Sequence, residues 1–441
     1  MRRGLALRHP SDREIAALAV PALGALIADP LLSLIDTAFV GRLGGDALGA
    51  LGVASLLFAV SFFVFNFLEY GTTSLIARAV GAGDPQRAGR AVVLALVVAV
   101  VAGSAVALLL VAAAGPLVRA IGASAGVAAE ATTYVRIRGL AAPALLVVRA
   151  GHGIYRGYQD TRTPLAVTLA VNGVNLVLDP LLIFGLGWGV AGAAWATVAA
   201  QWLGAAGFAM LVLGRHRERL GVVLSRPGVG ELGVFLRIGR DLAIRTGSIL
   251  TAFTLAGIIA TRVSDTAIAA HQVVMQLWIF LSLGLDALAI AAQALVGRML
   301  GEGRSGEATG VADRLLVLGV VVGTGLAALL AAAAPVVPRL FTDDPAVRAA
   351  IAAIYPFLVV QQPLNAAVFV WDGVFIGAGD FGYLAVAMLA SAAAAIGVLA
   401  AVLPMGWGLA GVWWGITVLL VARALTMGWR RVAPASPLRP G

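Results

Sequence analysis

Twelve apolar segments, separated by short polar stretches, occupy most of the 441-residue chain. Each is long enough for the roughly 20 helical residues that cross a bilayer. The apolar runs are continuous, whereas strands of a membrane barrel alternate apolar and polar residues over about ten positions. With 61% hydrophobic and 12% charged residues, the chain cannot present a water-compatible surface. The sequence therefore predicts an all-α polytopic membrane protein. The predicted spans lie near 14–39, 47–77, 89–113, 126–149, 163–186, 190–213, 235–261, 267–296, 309–333, 347–372, 383–404 and 408–429.

The second half of the chain repeats the first at a spacing of 220 residues. Arg78 aligns with Arg298, and Gly153 with Gly373. Because each copy holds six segments, both copies enter the membrane in the same direction. We therefore expect two six-helix lobes related by a pseudo-twofold axis along the membrane normal, with a binding cavity between them. The predicted parts are an N-terminal lobe at 1–214, a cytoplasmic interlobe linker at 215–230 and a C-terminal lobe at 231–441.

The placement of the arginines predicts the orientation. All 31 basic residues are arginine. With the amino terminus inside, 24 of them fall in or beside inner segments and only five in outer ones. By the positive-inside rule this asymmetry predicts that both termini are cytoplasmic. We expect a multi-pass protein of a bacterial-type inner membrane.

Several functional classes are excluded or disfavoured by composition. Cysteine is absent, which excludes disulfides and thiolate metal sites. Lysine is also absent, so no Walker A phosphate loop exists and an ATP-driven pump is disfavoured. The four histidines lack the spacing of metal ligands. We expect no cofactor, no metal beyond a transported Na⁺, no nucleic-acid partner and a monomer in the lipid bilayer.

The two copies differ at two acids that lie inside apolar stretches. Asp36 aligns with Ala256, and Asp179 aligns with an apolar position of the second copy. A charged side chain at the bilayer centre costs roughly 2.5–3.5 kcal/mol on insertion scales, so these acids need a physical reason. One interpretation is that Asp36 is an interfacial carboxylate near Arg42. The other is an ion site confined to the N-terminal lobe.

A polar stripe in the fifth span favours the ion site. Thr168, Asn172, Asn175 and Asp179 recur at spacings of four, three and four residues, which places them on one helix face. Isolated hydrogen bonds between helices are the simpler explanation for a single asparagine, but fit four residues less well.

Two prolines lie beside the acids and are predicted to bend or disturb their helices. Pro180 follows Asp179, and Pro30 precedes Asp36; each removes a backbone N–H and frees a carbonyl oxygen. If the acids converge with the stripe and with Thr197 of the sixth span, the group can hold Na⁺ or share a proton. The sequence leaves both ions open, because a desolvated carboxylate is readily protonated.

The sequence resembles the multidrug and toxic compound extrusion (MATE) family. The segment 21–42, with LIDTAFVG at 34–41, resembles the first helix of that family. The motifs RGYQDTRTP at 156–164, NLVLDP at 175–180 and WDGVFIG at 371–377 are similar to its DinF-like branch. The resemblance implies twelve helices in two bundles and export of organic, often cationic, compounds against inward H⁺ or Na⁺ flow.

The resemblance also implies site residues. The ion site carries over onto Asp36, Asn175, Asp179 and Thr197, with Tyr134 and Asn172 nearby. His152 stands where some relatives would have an amide, and can be structural or part of the polar network. Candidate residues of a substrate cavity are Phe62, Phe65, Met275, Trp278, Trp371, Asp286 and Asp372.

Three acids have two open interpretations. Asp286 and Asp372 can line a cavity for cationic substrates, or can pair with Arg138 or Arg245. The same ambiguity holds for Glu69.

The sequence thus predicts a secondary antiporter that exports organic, cationic or amphipathic compounds by alternating access, coupled to inward H⁺ or Na⁺. A lipid-linked oligosaccharide flippase of the same superfamily is the nearest alternative. A membrane-embedded enzyme is a second one, and it lacks a convincing nucleophile or metal set.

Overall fold

A computed structural model describes residues 9–223 and 228–439. Every regular element in these ranges is helical, which confirms the all-α polytopic fold. Part of the predicted linker, 224–227, lies outside the described residues, as do the first eight residues. The helices are α1 (Asp12–Gly41), α2 (Gly45–Phe62), α3 (Phe67–Gly81), α4 (Pro85–Ala120), α5 (Ala125–Gly139), α6 (Ala142–Gly157), α7 (Arg162–Pro180), α8 (Gly189–Met210), α9 (Val229–Val263), α10 (Asp265–Gly301), α11 (Ser305–Ala333), α12 (Val337–Phe341), α13 (Pro345–Gly377), α14 (Phe381–Val402) and α15 (Gly408–Val432).

Within the described residues, eleven spans are long and apolar enough to cross a membrane. A twelfth arises if α5 and α6, which meet at a bend of 52°, form one broken span. The sequence predicted a single helix near 126–149, and the structure instead breaks it at Leu140 and Ala141 and extends it to Gly157. Pro143 explains the break, because proline lacks a backbone N–H and suits the first turn of a new helix.

The chain divides into two compact units, Val20–Gly239 and Met1–Ala19 with Arg240–Gly441. The ends of this division differ from the lobes expected from the sequence. The first turns of α1 group with the second unit, because Ile15 and Leu18 join its apolar core and Glu14 pairs with Arg298 at 2.6 Å. The first turns of α9 group with the first unit, where Phe235 packs edge-on against Phe67.

The same close helix contact occurs in both units. A Cβ at Gly153 of α6 would lie 2.6 Å from the carbonyl oxygen of Glu69 in α3. A Cβ at Gly373 of α13 would collide in the same way with the carbonyl oxygen of Ala289 in α10. Both members of the second pair lie 220 residues after those of the first. The internal repeat is therefore a repeat of packing as well as of sequence.

The two prolines beside the acids have different local effects. α7 ends at Pro180, and the chain continues as a π-helical turn over Leu181–Gly185, in which Leu186 N donates to Leu181 O at 2.8 Å. Such wide turns are rare and often lie at functional sites. α1, in contrast, remains helical through Pro30.

We expect Gly373→Ala to destabilise the protein, because the added methyl group has no space against the α10 backbone. Overpacking of this kind costs about 1–3 kcal/mol, measured as a lower midpoint of thermal unfolding in detergent. Gly397→Ala is the matched control, since no atom lies within 4 Å of its added Cβ. Equal midpoints for the two variants would contradict the packing.

Candidate ion site and adjoining cavities

The acid pair depends on how α1 and α7 lie against each other. Asp36 contacts Asp179, and Asp29 contacts Asn172. Both partners thus advance by seven residues, so the two helices run in the same direction with matched register. The polar stripe of α7 faces α1, as the spacing of its residues predicted.

The centre of the site is a pair of carboxyl groups. Asp36 and Asp179 lie within hydrogen-bonding distance of each other, and Asp179 is fully buried. Asn175 Nδ2 donates to Asp179 Oδ2 at 2.5 Å. The Oδ1 atom of each acid is buried without a hydrogen-bond partner in the described part of the chain. Two ionised carboxylates would repel each other here, so the pair is suited to a shared proton or a bound cation.

Arg138 and Tyr134 of α5 complete the surroundings of the pair. The Arg138 guanidinium interacts electrostatically with both acids and donates from Nη1 to the Tyr134 hydroxyl at 3.2 Å. It also lies 4.8 Å from the ring centroid of Phe58. Sequence reasoning left the role of Arg138 open. The signal was a basic residue inside a span, which is costly unless it has a partner.

Thr197 of α8 is buried but makes a local contact. Its hydroxyl donates to Ala193 O in its own helix at 3.1 Å. Among the described residues it makes no hydrogen bond to Asp36 or Asp179. A role for Thr197 as an ion ligand therefore stays a prediction.

The other half of the α7 stripe serves a second acid. Asn172 Nδ2 donates to Asp29 Oδ1 at 3.3 Å, and Thr168 Oγ1 lies 3.3 Å from His152 Nε2. The sequence analysis did not single out Asp29. Its position seven residues before Asp36, on the same helix face, was the available signal.

A polar cavity of about 170 Å³ opens beside this second acid. Glu69 and Arg156 form a buried ion pair on its wall, so Glu69 is neutralised by a partner within its own unit. Arg149 donates to Asn66 Oδ1 at 2.5 Å. The sequence assigned Arg149 and Arg156 to a cytoplasmic segment; the structure places both in α6, so neither counts toward the orientation. The lining includes Asp29, Glu69, Leu145, Arg149, His152, Arg156, Thr168 and Gln201.

A second cavity, of about 350 Å³, has an aromatic wall. Phe62, a predicted cavity residue, lies on this wall with Phe58 and Phe63. Phe65 instead packs against Phe67, with ring centroids 6.4 Å apart. The polar part of the lining consists of Asn66, Arg138, Arg149 and Gln201.

The predicted cavity residues of the second unit lie in packed surroundings. Met275 and Trp278 are buried in an apolar cluster, where Trp278 packs edge-on against Phe253 at 5.2 Å. Trp371 lies against Gly428. Asp286 is half-buried on α10.

Asp372 forms a buried ion cluster with two arginines. Arg245 contacts it through Nε at 3.2 Å and Nη2 at 2.6 Å, and Arg423 forms a second ion pair. Of the two interpretations from sequence, the structure supports the pairing with Arg245. Arg423 was assigned to the cytoplasmic carboxyl end. The structure instead buries it within α15, because its charge has a partner there.

These features define a multi-pass helical membrane protein with a repeated scaffold and buried acids in one copy, as expected of a membrane transporter. A family model described as MatE matches residues 21–181 and again 247–402. The chain is 36% identical over 433 residues to Protein DETOXIFICATION 44, chloroplastic, of Arabidopsis thaliana, covering 95% of this chain and 81% of that protein. It is 30% identical to DNA damage-inducible protein F of Escherichia coli strain K12, covering 97% and 94%.

The fold has the same relatives. A crystal structure of MATE in the bent conformation matches with a TM-score of 0.89 at 23% identity, covering 97% of this chain and 96% of that one. An outward-facing multidrug resistance MATE transporter matches with a TM-score of 0.88. The chain belongs to the MATE family of efflux transporters.

We expect Arg423→Gln to destabilise the second unit, because Asp372 would keep only one of its two cationic partners. Removing one partner of a buried ion pair costs about 3 kcal/mol, measured by unfolding of purified protein. Arg348→Gln is the control, since its partner Asp343 is exposed and such pairs contribute about 0–1 kcal/mol. Similar losses in both variants would argue against the buried cluster.

Proposed function

We propose that the protein is a secondary antiporter that exports organic compounds in exchange for inward H⁺ or Na⁺, and that the ion binds at Asp36 and Asp179. The observation that carries this proposal is the meeting of two carboxyl groups inside a membrane span, each with a buried oxygen that has no hydrogen-bond partner in the described residues. A proton or a cation is what such a pair requires.

Arg138 supports coupling between the ion and the substrate. It interacts with both acids and also lines the aromatic cavity. When the acids are ionised, they compensate the charge of Arg138, and the cavity tolerates a cationic compound. When an ion neutralises the acids, the charge of Arg138 is uncompensated and repels such a compound. Ion and substrate then favour different states, which exchange by alternating access requires.

The aromatic wall supports the type of substrate. Phenylalanine rings beside a narrow set of polar groups suit an apolar or aromatic organic body. Cationic or amphipathic compounds fit both this wall and the electrostatic logic of Arg138. We further propose a monomer without cofactor in a bacterial-type inner membrane, with both termini cytoplasmic, as the arginine asymmetry predicts.

Replacing Asp36 or Asp179 by Asn should abolish transport, because an amide can neither release a proton nor carry the charge that a cation requires. The measurement is export of a fluorescent organic cation such as ethidium from proteoliposomes, run with a proton gradient and separately with a sodium gradient. We expect transport by the variants to fall to the level of protein-free liposomes while their elution in detergent is unchanged.

Asp46→Asn is the matched control, because Asp46 is an exposed acid in the first turn of α2. It should transport at the rate of the unmodified protein. Full transport by Asp36→Asn would contradict the proposed function. Scrambling of lipid-linked oligosaccharide without ion-driven export would favour the flippase.

A further inference from the structure

We infer that the coupling ion is a proton and that Asp29 is a second proton-carrying carboxyl, which exchanges protons with the Asp36–Asp179 pair. This inference rests on the proposed function of that pair and adds the identity of the ion and a second site. Four observations carry it: the register of α1 on α7, the donors at each acid, the charges around Asp29 and the two cavities.

The register repeats the surroundings of the acid pair one level along α1. Asp29 lies seven residues before Asp36, and its partner Asn172 lies seven before Asp179. Seven helical residues span about 10 Å, so the two levels are too far apart for direct contact. They are close enough to be joined by a few hydrogen-bonded groups.

The donors at both levels favour a proton over sodium. Asn172 presents its amide nitrogen to Asp29, and Asn175 presents its amide nitrogen to Asp179. Sodium, like other hard cations, binds through oxygen atoms and would be opposed by these N–H groups. A carboxyl that alternates between the protonated and ionised forms tolerates an N–H donor, because that donor stabilises the ionised form.

The charged groups around Asp29 point the same way. The cavity beside it is also lined by Glu69 of α3 and by Arg149, His152 and Arg156 of α6. Arg156 neutralises Glu69, which leaves Asp29 facing the charge of Arg149. A metal cation bound here would be repelled by both arginines. A proton instead resides on the Asp29 oxygen and leaves no net charge on that side chain.

The two cavities provide a polar route between the levels. The larger one is lined by Arg138, which interacts with the acid pair, and the smaller one by Asp29. Both share Leu145, Arg149 and Gln201 as lining residues. At about 30 Å³ per molecule, volumes of about 350 and 170 Å³ accommodate several waters, with polar groups to bind them.

The proton transfer balances without any other reactant. A proton leaves the carboxyl shared by Asp36 and Asp179, passes along hydrogen bonds between waters and binds an oxygen of Asp29. One O–H bond breaks and one forms at each step, and no electrons are transferred. Asp29 then releases the proton into the polar cavity beside His152.

A pH-jump experiment on purified full-length protein tests the inference without any assumption about the substrate. The sample is moved from alkaline to acidic pH in weakly buffered detergent solution, and a pH dye records proton uptake. Unmodified protein should take up protons in a phase that Asp36→Asn lacks. Asp29→Asn should keep the amount taken up in this phase but slow its rate by about tenfold or more, because the relay group is missing.

Three comparisons separate a relay from a purely structural role. Asp29→Glu should restore the fast phase, since it keeps a carboxyl group. Asp46→Asn should leave both rate and amount unchanged. Replacing K⁺ by Na⁺ in the solution should change neither, because sodium does not compete with the proton.

Two results would overturn the inference. One is a fast phase in Asp29→Asn equal to that of unmodified protein. The other is a loss of proton uptake when Na⁺ is added, which would assign the site to sodium. In both cases inactivity of Asp36→Asn in liposome transport would leave the proposed antiport intact, whereas activity of that variant would remove the proposed function itself.

Discussion

The cost of an uncompensated charge inside the bilayer organises this structure. In the second unit, Asp372 is held by Arg245 and Arg423. In the first unit, Glu69 is held by Arg156. Asp36 and Asp179 differ, because an acid there faces an acid. A proton or a cation resolves that repulsion, and for this reason the pair is the place where the protein senses an ion.

The repeated scaffold explains how one copy can carry this pair while the other does not. The close backbone contacts at Gly153 and Gly373 hold equivalent helices together in the two units, and they involve no charged side chain. Polar residues can therefore differ between the copies without changing the packing. His152 illustrates this freedom: the position 220 residues later is Asp372, which anchors the ion cluster of the second unit.

Much of this architecture could be predicted from the sequence, because the information is local. The continuous apolar runs predicted the spans, and the spacing of Asn175 and Asp179 predicted their shared helix face. The bend between α5 and α6 was not predicted, since hydropathy does not register a break of two residues inside an apolar run. Pro143 was its only local signal.

The partners of the charged residues could not be predicted, because they depend on distant contacts. Arg423 and Asp372 are 51 residues apart, and Arg156 and Glu69 are 87 apart. Counting arginines by their place in the sequence put Arg156 and Arg423 in water, where they needed no partner. The role of Asp29 was hidden for the same reason, since it depends on Asn172 of another helix.

The central claim is that Asp36 and Asp179 share one ion through their carboxyl groups. Infrared difference spectroscopy of purified protein, recorded between alkaline and acidic pH in H₂O and D₂O, tests it most directly. The account predicts a protonated-carboxyl band that appears on acidification, shifts in D₂O, disappears in Asp36→Asn and is unaffected by Na⁺. If that band persists in both Asp36→Asn and Asp179→Asn, the pair is not the site of ion binding.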